Sequence, residues 1–235
     1  MKLGRFIISA IAFVLALTES GAARTVFYPM DVVPQSYIEA NGIDEFFTCE
    51  YISDELFDFM WGRSYHESCS TPRRELRYLR ILHKNLQGQS IVGELVVNES
   101  VAEDILEIFK ELYQESYPVE KVRLIDWYDG DDEASMRDNN TSAFNSRNIS
   151  HTSLVSRHEL GLAIDINPLY NPFHKINKAG IEILEPATGK PYLDRSKDFR
   201  YKIEYGDICH RLFIKHGFIW GGGWANSKDY QHFER

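Results

Sequence analysis

Four residues in the last third of the sequence could carry hydrolytic chemistry: His158, Asp165, Asp229 and His232. Two imidazoles and a carboxylate form a donor set for a catalytic zinc site, which needs three protein ligands and an open position for water. A further carboxylate can then collect the proton of that water. His158 and Asp165 fall in Ser156-Arg-His-Glu-Leu-Gly-Leu-Ala-Ile-Asp165. Their separation cannot place both on one face of a single strand, so at least one sits where the chain turns. His158 is expected at the end of a loop and Asp165 within the strand after it. Gly161 and Ala163 are expected to be small because something large packs or binds against them. Asp229 precedes His232 by one short step, close enough to serve the water without itself reaching the metal. Each residue also has an ordinary alternative: hydrogen-bonded polar groups for His158 and Asp165, a turn cap for Asp229, and stacking on Phe233 for His232.

Several elements must position these residues. Leu160 to Ile166 is expected as a strand. Tyr205 to His216 is expected as a helix with Ile208, Leu212 and Phe213 inward, ended by Gly217. Phe218 to Trp220 then runs as a short strand into Gly221-Gly-Gly-Trp224. Trp220 reads as a core residue, while Trp224 either packs or lines a cleft. His232 lies close to Arg235, so the strand that carries it must be held by packing, since free ends fray.

Upstream, residues 24–41 read as an extended lead-in broken by Pro29 and Pro34. A helix is expected from Ser53 or Asp54 through Met60 or Trp61. Arg73 to Leu86 and Gly93 to Asn98 read as strands. Ser100 to Tyr117 is the clearest helix, with Ser100 as its cap, Glu103 completing a capping box and Pro118 stopping it. Val119 to Trp127 alternates like a strand. The polar stretch 129–150 is expected as a loop, with Asp129 and Asp131 to Glu133 as a solvated turn rather than a calcium site. Residues 174–203 are expected to be mostly loop.

Taken together, these motifs resemble those of the M15 zinc peptidases. The resemblance rests on Ser-x-His-x-x-Gly-x-Ala-x-Asp from Ser156, Gly-Phe-x-Trp-Gly-Gly-x-Trp from Gly217, and Asp-x-x-His-Phe-Glu from Asp229. It reaches back through Asn140 to Arg147. It implies zinc on His158, Asp165 and His232, with Asp229 as general base. It further implies Arg147 as the group that binds substrate or meets the charge of the tetrahedral oxyanion, with Ser156 contacting substrate or supporting the ligands. Asp229 stands where many members carry Glu, a pattern that fits the endopeptidase-like branch better than the dipeptidase branch.

The fold expected is α+β, a single domain with a small antiparallel sheet flanked by helices and the zinc site on the sheet. Residues 24–118 would form its N-terminal part and 119–235 the peptidase core. The activity implied is hydrolysis of peptidoglycan stem peptides, of the D-Ala-D-Ala carboxypeptidase or L-Ala-D-Glu endopeptidase type. The alternatives are a non-catalytic wall-peptide binding module of the same fold and a zinc dipeptidase.

Composition reads as that of a soluble globular protein, and the N-terminal segment as an export signal. The formal charge of −9 argues against nucleic acid as the main partner. Residues 1–23 have the form of an export signal: Lys2 and Arg5, an apolar run from Phe6 to Leu17, and small residues at Gly21 to Ala23. That run is short for a membrane span, so no span is expected after cleavage; an uncleaved anchor is the alternative. A periplasmic or extracellular location is then expected, and there Cys49 and Cys69 could bridge, contributing roughly 3 kcal/mol. Cys209 is expected as a buried, inert thiol. Asn140 and Asn148 sit in Asn-x-Ser/Thr sequences, although bacterial-type export gives glycosylation there no use.

Overall fold

A computed structural model describes residues 25–147 and 155–235. The leader expected over 1–23, and Asn148, lie outside the described residues. The chain begins with β1 (Val32–Val33), α1 (Gln35–Asn41), β2 (Thr48–Tyr51) and α2 (Asp54–Met60). The expected extended lead-in is therefore interrupted by a helix, which starts directly after Pro34 because proline is compatible with a helix entrance. At the start of α2, the Ser53 hydroxyl accepts a hydrogen bond from the Leu56 N–H.

Strands β3 (Leu76–Lys84) and β4 (Ser90–Asn98) are the longest in the molecule, and α3 (Glu99–Gln114) comes directly after them. The four strands form an antiparallel sheet in the order β1-β4-β3-β2. Alternation divides its side chains between two faces. Leu79, Ile81, Leu95 and Val97 meet Ile105, Ile108, Phe109 and Leu112 of α3, while Tyr78 and Val96 meet Leu56 and Met60 from α2. The cap of α3 is Asn98 rather than Ser100. The Asn98 carboxamide oxygen accepts from both the Ser100 N–H and the Ser100 hydroxyl.

Three stretches differ from expectation. Val119 to Trp127 contributes only β5 (Lys121–Val122), then a 3-10 turn over Ile125–Tyr128. There Asp126 is drawn inward to accept the Ser64 N–H. The polar stretch 129–147 holds α4 (Asp132–Arg137) and β6 (Asn140–Thr141), which pairs in parallel with β5. Its acidic run works as a helix start, for Asp131 accepts the Ala134 N–H. The stretch after Pro172 is also structured: β8 (Phe173–Ile176) and β9 (Glu182–Glu185) form a hairpin, succeeded by a 3-10 segment, Ala187–Tyr192. The half-buried Arg195 fastens the irregular segment after it by bonding the Tyr170 and Ile203 carbonyls and the Asn171 side chain.

The expected strand 160–166 is shorter, β7 (Ala163–Asp165), because a turn occupies the residues before it. Helix α5 (Ile208–Lys215) is capped by Asp207 and ends near Gly217, which sits at φ 82°. The last strands are β10 (Ile219–Trp220), β11 (Lys228–Asp229) and β12 (His232–Glu234). Strand β12 lies between β10 and β7 in one small antiparallel sheet, while β11 joins the β8–β9 hairpin in another. The architecture is α+β as expected, and the converging residues Asp165 and His232 lie on one of its small antiparallel sheets, which accompanies a larger four-stranded sheet, the β8–β9–β11 sheet and the β5–β6 pair. One continuous core runs from β3, β4 and α3 to Ile164, Phe213, Trp220 and Phe233. Cys49, Cys69 and Cys209 are all free thiols, so the possible Cys49–Cys69 bridge is not formed. Cys49 packs against this main core and Cys69 against the Met60–Tyr78 cluster. Cys209 is buried, and burial pushes its thiol well above the ordinary range.

Candidate metal centre

Asp165 and His232 are brought together by strand register, as directly opposed partners in β7 and β12. On its other edge Asp165 pairs with Ser142, so the next residue, Ala143, lies within reach of the turn that carries His158. The His158 Nδ1–H donates to the Ala143 carbonyl at 2.6 Å, which leaves Nε2 turned toward Asp165 and His232. That turn is held in several ways. Its Gly161 sits at φ +67°, where a Cβ would lie 2.6 Å from the Asn98 nitrogen. The packing partner that keeps Gly161 small is thus the backbone at the start of α3. The Asn98 N–H and side-chain amide also bond the Gly161 and Leu160 carbonyls.

Three donor atoms converge. His158 Nε2 lies 3.2 Å from Asp165 Oδ2 and 3.3 Å from His232 Nδ1, which is 2.9 Å from Asp165 Oδ1. Bonds of about 2.0–2.1 Å in a tetrahedral zinc site would set neighbouring ligand atoms about 3.3 Å apart. The outer nitrogen of each ring is already engaged: His158 Nδ1 with Ala143, and His232 Nε2 with Glu234 Oε2 at 3.1 Å. Each imidazole therefore turns its other nitrogen inward, toward a carboxylate, around one point. Such an arrangement calls for a cation, and two nitrogens with one oxygen suit zinc. Among the described residues this is the one cluster of histidine, cysteine and acidic side chains placed to hold a metal.

The electrostatics agree. Burial works against the Asp165 charge, yet the flanking imidazoles His158 and His232 hold its carboxyl well below the usual range. Burial likewise disfavours a charged His232, but its hydrogen bonds to Asp165 and Glu234 lift it to about 10. In the metal-free protein a proton on His232 thus supplies the positive charge that the site demands, and a metal ion would displace it.

Asp229 stands apart from the converging donors but faces the same cleft, a space of about 380 Å³ that also reaches Arg147, Ser156 and Trp224. Its register partner is Phe173 in β8, and its Oδ1 is buried with no hydrogen-bond partner among the described residues. Burial pushes its carboxyl up to about 7, against the pull of the nearby His232 charge. It does not cap a terminal turn, and Phe233 stacks on Phe213 at 4.1 Å rather than under His232. The ring nearest His232, apart from His158, is Trp224, tilted at 5.5 Å. The glycine run packs close to the site: a Cβ on Gly221 would lie 2.8 Å from the Asp229 Cβ and 3.3 Å from the His232 Cβ. Lys228 ties this turn by donating to the Gly222 and Trp224 carbonyls. Trp220 is a core residue, its indole N–H bonded to the Tyr230 carbonyl.

Arg147 and Ser156 take positions that sequence reasoning placed only by resemblance. The Arg147 guanidinium forms an ion pair with Asp132 in the first turn of α4, and the Asn145 amide bonds the same carboxylate. The Ser156 hydroxyl accepts the His158 N–H at 3.1 Å and so shapes the ligand turn.

Four supporting groups escaped the sequence reading: Asp132, the Ala143 carbonyl, Glu159 and Glu234. Glu234 had a usable signal, since two-residue spacing puts it on the same strand face as His232. Glu159 accepts from the N–H and hydroxyl of Ser70, at 3.0 and 2.8 Å, although 89 positions separate the two in the sequence. No local pattern announces a partner so far away.

A family model described as D-alanyl-D-alanine carboxypeptidase, of M15 type, matches residues 150–235. The match supports an M15-family peptidase, and it contains His158, Asp165, Asp229 and His232, with Arg147 just before it. No curated protein and no solved structure matches the chain.

Proposed function

We propose that the protein is an exported zinc-dependent peptidase that hydrolyses stem peptides of bacterial peptidoglycan, at the D-Ala–D-Ala bond or the L-Ala–D-Glu bond. The observation that carries this reading is the convergence of His158 Nε2, Asp165 and His232 Nδ1 beside an unpartnered Asp229 oxygen. When bound there, zinc would supply a Lewis acid that polarises the scissile carbonyl and brings the pKa of a water toward about 7.

The chain's own residues supply the rest. Asp229, raised toward neutrality by burial, is matched to accept a proton at its carboxylate and return it to the departing amine. Arg147, held in line by Asp132, offers a guanidinium at the cleft wall where negative charge develops on the carbonyl oxygen. Ser156 keeps the His158 turn in shape, and Trp224 gives the cleft an apolar wall beside His232. The signal-like pattern of residues 1–23, Lys2 and Arg5 before an apolar run, is what supports export. Among the described residues no helix is long and apolar enough to cross a membrane.

Mass spectrometry of purified muropeptides, before and after incubation with zinc-loaded protein, tests this. Loss of one D-Ala, or separation of L-Ala from D-Glu, is expected, and it should stop on chelation. Asp229→Asn should retain zinc while turnover falls about 10²- to 10⁴-fold. Intact muropeptides after incubation with fully zinc-loaded wild type would overturn the reading.

A further inference from the structure

The charged groups around the cleft divide sharply into those already engaged and those that are not. Asp165 belongs to the converging donors, Glu234 holds His232, and Asp132 holds Arg147 and Asn145. Glu133 accepts the Ala187 N–H, and Glu185 also has a partner. Apart from Asp229, already assigned to proton transfer, one charged side chain remains among the described residues that line the cleft. This is Arg157, between Ser156 and His158 in sequence, which lines the same cleft and is exposed. Its guanidinium makes no hydrogen bond or ion pair with any described residue, although its charge is felt at Glu234, beside His232. The two cleft arginines therefore differ in kind. Arg147 is tied to the protein, whereas Arg157 has its full set of donors available for an incoming group.

We propose that Arg157 is the specificity-determining residue of this site, and that it binds an α-carboxylate on the residue departing with the amine. A guanidinium meets a carboxylate through two parallel hydrogen bonds, which a neutral amide cannot match. The remaining charged groups of the cleft are mostly acidic, and of its two arginines Arg147 is already paired with Asp132, so Arg157 is the cation with donors to spare for an incoming carboxylate. The assignment rests on the peptidase reading and adds to it, because the two candidate bonds share this feature. In D-Ala–D-Ala the departing residue carries a free terminal carboxylate. In L-Ala–D-Glu, where the glutamate continues the stem through its side chain, the departing residue carries a free α-carboxylate.

The test uses the full-length zinc-loaded protein and two pairs of probes. One is an acetyl-Lys-D-Ala-D-Ala peptide as free acid and as C-terminal amide. The other is an L-Ala-γ-D-Glu-Lys peptide with the α-carboxylate free or amidated. For whichever bond is cut, kcat/KM should be at least about tenfold higher on the acid than on the amide. Arg157→Gln should bring that ratio close to one, and Arg157→Lys should restore part of it, with zinc stoichiometry intact in both. Calorimetric binding of the same probes gives a readout that does not depend on turnover, and the acid should bind more tightly only when Arg157 is present. A wild type that cleaves neither pair would defeat the peptidase reading, whereas the binding data would still decide the role of Arg157. Equal handling of acid and amide by the wild type, or an acid preference that survives in Arg157→Gln, would overturn the assignment.

Discussion

Two regions of the molecule each bury a histidine whose Nδ1–H donates to a backbone carbonyl, and they put it to opposite uses. In the main sheet, His83 bonds the Val119 carbonyl at 2.7 Å, and its Nε2 is buried with no partner among the described residues. In the C-terminal part, His158 bonds the Ala143 carbonyl at 2.6 Å, but its Nε2 meets Asp165 and a second imidazole. The outer contact is the same in both, so it cannot be what creates a metal site. What differs is the wall that the other nitrogen faces. The His83 ring packs around Gly93 together with Ile81 and Val122, and burial lowers its pKa to about 4. A neutral ring in an apolar wall is a packing element, while a ring opposite a carboxylate and a second imidazole is placed to serve as a ligand.

The largest expected effect sharpens this contrast. His158→Ala should abolish stoichiometric zinc binding and lower peptidase activity by about 10³-fold or more, because two remaining ligands cannot hold the ion in its working geometry. His83→Met should retain both zinc and activity while losing some stability. Zinc content by atomic absorption, with turnover on the same samples, reads both. A zinc-free His83→Met protein that is still folded would break the distinction.

The same contrast explains how much could be read from the sequence. Around His158 and His232, the odd spacing of His158 and Asp165 points to a turn beside a strand, while the set of three donors comes from the family resemblance of the two motifs. Long elements with a strong period, β3, β4 and α3, were equally legible. Short elements fixed by tertiary contacts were not. Helix α4 depends on an Asp131 cap and on Asp132 meeting Arg147, and the β8–β9 hairpin is completed by β11 from near the end of the chain. The Asn98 cap won over Ser100 because the same side chain also reaches the Leu160 carbonyl on the ligand turn. Apart from the local Asp131 cap, these are contacts between residues distant in sequence, and local pattern carries no trace of them.

A smaller effect concerns pH and stability. His83 is held neutral in the fold with its pKa lowered to about 4, against about 6.5 in the unfolded chain. Between these values the unfolded state binds more protons, so stability rises with pH through that window. The contribution is fully present above about pH 6.5 and is lost as pH falls toward 4, amounting to about 3 kcal/mol. Between pH 7.5 and pH 4.5 the urea midpoint should fall more for the wild type than for His83→Met, since the variant has no proton to take up. Equal falls in the two proteins would mean that the ring finds a way to charge in place and is not confined by its apolar wall.

The smallest effect lies within the site and separates its two histidines from each other. His158 is oriented by a carbonyl, which has no charge to give, whereas His232 is oriented by Glu234, whose carboxyl is held below its usual range by that hydrogen bond. An anionic partner makes the ring a stronger donor as well as fixing its direction. Glu234→Gln preserves the shape and an acceptor oxygen but removes the charge, so zinc affinity should weaken about 10- to 100-fold. Competition against a chelator of known affinity measures this at constant pH. The contrast predicted is with Ser156→Ala, which removes an acceptor from the His158 turn without altering any charge near the metal and should shift affinity less. If both substitutions weaken zinc equally, orientation alone governs the site, and the charge of Glu234 adds nothing beyond what the Ala143 carbonyl already achieves for His158.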